Sequence, residues 1–150
     1  MTISSRDYRK AIHTINSLNN VYKSLDYDIT LQMIDVLCWI AEKPGITVKD
    51  LMDRTNLSQS SISRNLTALG KWDRHSKPGM DLIEDVEDPV ERRRRIYFLT
   101  KKGKRFIARM VGALYDVGAD AVRVDSPTAQ DHVDNTFRAR MAGVNLPAQD

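Results

Sequence analysis

Two short stretches of this 150-residue chain hold the side chains best suited to chemistry. "SQSSISRNLTAL", residues 58–69, groups hydroxyls around one arginine, and "DPVERRRRIYFLTKKG", residues 88–103, sets four consecutive arginines behind an Asp-Pro pair. Hydroxyls donate and accept hydrogen bonds, and a guanidinium fork matches the O6 and N7 acceptors of guanine. Clustered arginines match phosphate, which they bind in bidentate, charge-assisted fashion. Charge is distributed accordingly. Residues 1–53 hold six basic and seven acidic side chains, residues 54–105 hold thirteen and seven, and residues 106–150 hold four and six. The net charge of +3 is therefore concentrated in the middle third, the footprint of a surface that meets phosphate or an acidic partner.

Other chemistries find little support. There is no Gly-rich phosphate loop and no nucleophile-base pair, and the carboxylates of "EDVED" (84–88) read as strand surface or as partners for the arginines. His13, His75 and His132 are scattered, and Cys38 is the one cysteine, so neither a metal cluster nor an internal disulfide is expected. We expect no catalysis and no cofactor. No apolar run reaches the roughly 18–20 residues of a membrane span, and "MTISSRDYRK" lacks the apolar centre of a signal peptide. The expectation is a soluble cytoplasmic protein.

The elements that position these residues are mostly helical. Tyr8, Ile12, Ile15, Leu18, Tyr22 and Leu25 recur at three- and four-residue steps and form one apolar stripe. Leu31, Ile34, Leu37, Cys38 and Ala41 repeat the period until Pro44-Gly45 stops the helix. Cys38, set among Leu37, Trp39 and Ile40 without an adjacent cation, reads as a buried structural thiol. Thr47 stands three residues ahead of Asp50, the spacing of a capping box, and predicts a short helix over about 48–54. Thr55-Asn56 is the turn, and Ser58 caps a helix over about 59–69. Ile62, Leu66 and Leu69 form the buried side of that helix. Ser60, Arg64 and Thr67 face outward, flanked by Ser61 and Ser63.

Two short helices joined by a tight turn make a helix-turn-helix. After a loop over 70–81, "DLIEDVE" and "RRRIYFL" read as strands of a hairpin turned at Asp88-Pro89, and such a hairpin makes the unit a winged helix. Strand alternation sends Arg92 and Arg94 to one face, Arg93 and Arg95 to the other. A localisation peptide or a merely solvated charge run fits less well, because Tyr97, Phe98 and Leu99 tie the arginines to a core-facing strand. Thr100 caps a long helix with Phe106, Ile107, Met110, Leu114, Val117, Ala121 and Val124 in register. Ser126-Pro127 opens a last helix marked by Ala129, Val133, Phe137 and Met141.

With these residues in place, the chain resembles the MarR (multiple antibiotic resistance regulator) family of winged-helix transcription regulators over about residues 5–140. The recognition-helix segment is "LSQSSISRNLTAL". The wing is "DPVERRRRIYFLTKKGKRF", in which Glu91 and Arg93 form the acidic-x-Arg pair, and Leu99, Thr100 and Gly103 the closing element. The resemblance implies a mainly α fold with a small β-hairpin wing in one domain spanning 1–150. Helices over 1–29 and 104–142 dimerise it, 30–103 form the winged core, and 143–150 are a tail.

It also implies a homodimer on a roughly palindromic double-stranded DNA operator. Gln59, Ser60, Ser61, Ser63 and Arg64 enter the major groove, with Arg93 in the minor groove. Arg92, Arg94 and Arg95 are divided between phosphates and pairing with Glu91 or the acidic arm. Tyr8, Ile12, Ile15 and Leu18 with Val133 and Phe137 meet the partner subunit. An effector site, either a small-molecule pocket or the Cys38 thiol, is a further implication with no ligand specified. The connection over 70–81 is longer than is usual in the family, which leaves open the angle of the wing or an extra contact from Lys71, Arg74 or Lys77. The competing expectation is a winged helix whose basic face binds a protein rather than DNA.

Overall fold

The computed structural model describes residues 1–72 and 75–143. Arg74 and the tail beyond Gly143 lie outside the described residues. The chain runs α1 (Ser5–Lys23), α2 (Leu31–Glu42), α3 (Val48–Thr55), α4 (Gln59–Leu69), β1 (Ile83–Glu87), β2 (Arg95–Leu99), α5 (Lys101–Tyr115), a short 3-10 turn (Ala119–Ala121) and α6 (Ala129–Met141). The mainly helical winged helix-turn-helix expected from the sequence is the observed fold. No helix among the described residues is long and apolar enough to cross a membrane.

Side-chain caps set most of the helix starts. The hydroxyls of Thr47, Ser58 and Thr100 accept hydrogen bonds from the amides of Asp50, Ser61 and Gly103, which would otherwise lack partners. Asn56 ends α3 in the left-handed conformation at φ 58°, a conformation asparagine tolerates. Val36, Leu37 and Ile40 of α2, Leu51 of α3, Ile62 and Leu69 of α4, and Leu82 and Leu99 around the hairpin converge in one core, closed by Phe106 and Met110 of α5. β1 and β2 pair antiparallel, from Ile83 opposite Leu99 to Glu87 opposite Arg95. On its other edge β2 is held to the turn after α2: Gly45 donates to the Tyr97 carbonyl at 2.8 Å and Tyr97 donates to Ile46 at 3.1 Å. Gly103 lets α5 start directly against the hairpin, since a Cβ there would stand 1.9 Å from the Leu82 carbonyl oxygen.

Four expectations need correction. The fifth helix stops at Tyr115 instead of continuing to Val124. Asp116 turns left-handed at φ 55°, and the Val117 amide folds back onto the Gly112 carbonyl. The last helix is capped by Thr128 rather than Ser126, because Thr128 and Asp131 complete a reciprocal capping box. β2 begins at Arg95, so strand alternation does not sort Arg92, Arg93 and Arg94, which lie in the wing tip. Cys38 is exposed. Its thiol is nevertheless pushed up, first by partial burial and then by the carboxylates of Asp35 and Glu42, which disfavours the reactive thiolate.

The placement of α6 follows from nonlocal packing. Its first turn lies on the hairpin, where Ala129 joins Ile96, Phe98 and Val86 in a second apolar cluster. The Ala129 amide donates to Glu84 at 3.1 Å, and the His132 ring packs 5.0 Å from Phe98. Burial pushes the His132 imidazole below its usual value, while Asp88 pulls weakly the other way. The folded state therefore binds this proton less readily than the unfolded chain, and stability rises with pH across that window. We expect the melting temperature to fall as pH drops below about 6.5, the ordinary histidine value. In His132→Phe, which keeps a ring on Phe98, the difference between pH 7.5 and pH 5.5 should shrink in calorimetry; an unchanged difference would assign the effect elsewhere.

Candidate nucleic-acid interface

The outward face of α4 begins with its cap. Ser58 Oγ accepts from the Ser61 amide at 3.2 Å and lies within hydrogen-bonding distance of Ser60 Oγ (3.2 Å) and Ser61 Oγ (3.1 Å). One turn on, Arg64 donates to Ser61 Oγ at 3.2 Å, which lays the guanidinium along the helix rather than leaving it to sweep through solvent. Gln59, Ser60, Ser63 and Arg64 are exposed and Ser61 half-buried. The inner side carries a residue that the sequence reading passed over. Asn65 is buried and donates to Gln32 at 3.2 Å, fixing α4 to the first turn of α2. Its position, three residues after Ile62 and one before Leu66, places it on the buried arc of a 3.6-residue helix, which is the signal that could have found it.

The wing sorts its arginines by partner. Asp88 is buried, accepts the Val90 amide at 2.9 Å and receives Arg94 through Nε at 2.8 Å and a second nitrogen at 2.5 Å. Burial alone would push the Asp88 carboxyl up, but the Val90 amide, the Arg94 guanidinium and the Glu91 amide hold it below the ordinary aspartate range. Arg95 pairs with Asp85 at 2.6 Å and lies 4.0 Å from Glu87. The acidic arm thus takes Arg94 and Arg95, with Asp88 rather than Glu91 as the partner of Arg94. Arg92 and Arg93 are exposed and have no ion-pair partner among the described residues.

Two adjoining hollows join helix and wing. One, about 420 Å³, is bordered by Ser63 and Thr67 of α4, Lys71, Trp72, and Asp85 and Tyr97 of the hairpin. The other, about 670 Å³, lies between the start of α3 and Arg93, Arg94 and Arg95. Val48 and Tyr97 line both, so the hydroxyl-bearing helix and the arginine-bearing wing border one continuous concave surface. Burial, and secondarily Asp85, push the Tyr97 phenol up, so it stays a neutral donor. Lys49 and Trp72 were not singled out from the sequence and Tyr97 was read only as part of a core-facing strand, whereas Thr67 was already read as outward; only the folded hairpin and connection bring Tyr97 and Trp72 beside Ser63 and Thr67. No group of three His, Cys, Asp or Glu that could hold a metal ion occurs among the described residues.

On α1, Tyr8, Ile12 and Ile15 are exposed, at 62%, 40% and 53%, while Leu18 packs onto the core. α1 lies along α5, whose end exposes Leu114 and Tyr115. Val133 and Phe137 are also exposed, but on α6, the helix that rests on the hairpin.

A helix-turn-helix followed by a hairpin that shares its concave surface defines a winged helix-turn-helix protein. Residues 27–72, which include the recognition segment but end before the wing, match the MarR family profile, in line with the resemblance to MarR-family transcription regulators. Solved structures show the same fold at low identity. The Staphylococcus aureus MepR–DNA complex is similar at 15% identity and TM-score 0.58, covering 93% of this chain and 98% of that one. A MepR mutant bound to an oligodeoxyribonucleotide is similar at 17% and 0.56, covering 95% and 96%. YusO from Bacillus subtilis is similar at 14% and 0.52, covering 92% and 88%. No curated protein sequence matches the chain.

Proposed function

We propose that this protein is a sequence-specific, double-stranded DNA-binding transcriptional regulator that acts as a homodimer. The observation that carries the reading is the pair of adjoining hollows between α4 and the wing: Ser63 and Thr67 of α4 line one and Arg93 of the wing the other, with Val48 and Tyr97 common to both, and Ser60, Arg64 and Arg92 are exposed on the same two elements. α4 lies in the major groove, where Arg64 and the serines meet base edges and Gln59 meets an edge or a phosphate. Arg93 enters the flanking minor groove, where narrow A·T-rich DNA concentrates negative potential, and Arg92 holds phosphate. Arg94 and Arg95 stiffen the wing through Asp88 and Asp85. MepR, of the same fold, has been solved on DNA, which supports the same use of this surface.

The dimer is proposed to form through the exposed stripe of α1 and the end of α5 beside it, with Val133 and Phe137 at its margin. Twofold symmetry then sets half-sites about one helical turn, 34–36 Å, or a multiple of that apart on a palindromic operator. Sedimentation at micromolar concentration should give a dimer, and Ile12→Glu with Ile15→Glu should give a folded monomer. A monomeric wild type would remove this part of the reading.

The function is tested by selecting bound sites from a random duplex library and titrating the recovered site at several salt concentrations. A palindrome and strongly salt-dependent binding are expected. Arg93→Ala should weaken binding and flatten the log-log salt slope, by up to about 0.9 if its guanidinium in the minor groove displaces the counterions of one phosphate. An unchanged slope would contradict the assignment of Arg93. Absence of any salt-sensitive DNA binding would favour a protein partner on the same basic face.

A further inference from the structure

The connection between α4 and the wing is not a loose loop. Gly70 donates to Leu66 and ends the helix, and the returning strand of the connection is then tied back to the last turn of α4. Met80 donates to Ala68 at 3.0 Å, Asp81 to Gly70 at 2.9 Å, Leu82 to Leu69 at 2.9 Å and Gly79 to Lys71 at 2.9 Å. Trp72 and Pro78 form an isolated bridge across the base. Gly79 is required there, because a Cβ would lie 2.2 Å from the Gly70 carbonyl oxygen. Lys71 and Trp72 are therefore held as a fixed extension of α4.

What these two residues present is unusual for their types. Trp72 is 58% exposed, although tryptophan is among the most buried side chains on average. It lines the hollow that also contains Ser63, Thr67 and Tyr97, on the side of α4 that carries the outward hydroxyls. Lys71 is exposed beside it, and among the described residues the one carboxylate bordering that hollow, Asp85, is already held by Arg95 at 2.6 Å. Lys71 thus sets an ammonium beside an exposed indole. Geometry says what it meets. From Ser60 to Leu69 the helix rises about 14 Å at 1.5 Å per residue, more than the roughly 12 Å width of the major groove. With the first turn on base edges, the last turn stands over the strand that borders the groove.

We infer that Lys71 and Trp72 form a third DNA contact, gripping the sugar-phosphate strand at the exit of the recognition helix from the major groove. The Lys71 ammonium pairs with a phosphate, the Trp72 indole Nε1–H donates to a phosphate oxygen, and its ring packs on the adjacent deoxyribose. Contacts of this kind fix register and orientation without reading sequence. The inference rests on the DNA-binding reading above, and the test separates the two.

The chain has two tryptophans, so Trp39→Phe in the full-length protein leaves Trp72 as the reporter. Titrating the selected duplex should change Trp72 emission in step with binding. Trp72→Ala and Lys71→Ala should each weaken binding about five- to tenfold, the effect of one modest charge-assisted or neutral hydrogen bond. The loss should be equal on the selected and on random duplexes, Lys71→Ala should lower the salt slope by about 0.9, and hydroxyl-radical protection should be lost on the outer strand. Because Trp72 is exposed, Trp72→Ala should melt like the wild type. Wild-type affinity in Trp72→Ala together with unresponsive Trp72 emission would overturn this inference and leave the DNA-binding reading standing. Failure of the wild type itself to bind duplex DNA would overturn both.

Discussion

Replacing Phe98 by alanine is expected to cost about 3–5 kcal/mol, the range for truncating a fully buried phenylalanine. Phe98 is 0% exposed and sits where the hairpin meets α6, against Ile96, Ala129 and the His132 ring. Its removal leaves a cavity between two elements that share few other apolar contacts. The loss is a large fraction of the 5–15 kcal/mol by which a domain is ordinarily stable. It should lower the melting temperature by roughly 10 °C, given about 2–4 °C per kcal/mol at this chain length. The same variant should loosen the wing, because Phe98 is central to the packing of α6 against the hairpin. Amide exchange on β1 and β2 should therefore accelerate more than exchange on α2. Phe98→Leu should lose clearly less, and a near-wild-type melt for Phe98→Ala would show that α6 does not rest on the hairpin as described.

Arg64→Ala is expected to weaken binding to the selected operator by about 1–3 kcal/mol, five- to 150-fold, and to blur preference at one base position. Arg64 is the one arginine on the exposed face of α4, and its guanidinium is already oriented by Ser61, so little side-chain freedom is lost on binding. The effect on random duplex should be far smaller. Arg64→Lys should recover charge but not the bidentate fork, and so should restore non-specific affinity without restoring preference. Equal losses on operator and random DNA would show that Arg64 holds phosphate only. Ser61→Ala should have a smaller effect of the same kind, through the lost orientation of Arg64.

The parts of the fold that could be read in advance are those governed by contacts three or four residues apart. Thr47, Ser58 and Thr100 cap helices where expected, Asn56 ends α3, and Asp88-Pro89 turns the hairpin, because each signal acts on amides in its own turn. The misplacements have a common cause. Apolar residues continue at helical spacing past Tyr115, and Val124 does pack on the core, yet Asp116 breaks the helix, and the chain reaches the core by a turn instead. Ser126 and Thr128 both suit a cap, and Asp131, three residues after Thr128, decides between them.

The candidate interface divides along the same line. The exposure of Ser60, Ser63 and Arg64 follows from the buried stripe of Ile62, Leu66 and Leu69, so it was legible in a single helix. Which of four adjacent arginines stay unpaired was not, since Asp85 and Asp88 claim theirs only once the register Asp85–Tyr97 and Glu87–Arg95 has formed. Cys38 was misread for the related reason that apolar neighbours in sequence point in different directions around a helix.

By itself, then, the sequence determined the helix-turn-helix, the hairpin and the placement of charge on them, because local hydrogen bonding and periodicity specify these within a few residues. The tertiary structure alone decided that α6 lies on the wing, that Arg92 and Arg93 remain available while Arg94 and Arg95 are held, and that Trp72 extends the face of α4. Each of these depends on a contact between segments distant along the chain, and such contacts are chosen by the packing of the whole core.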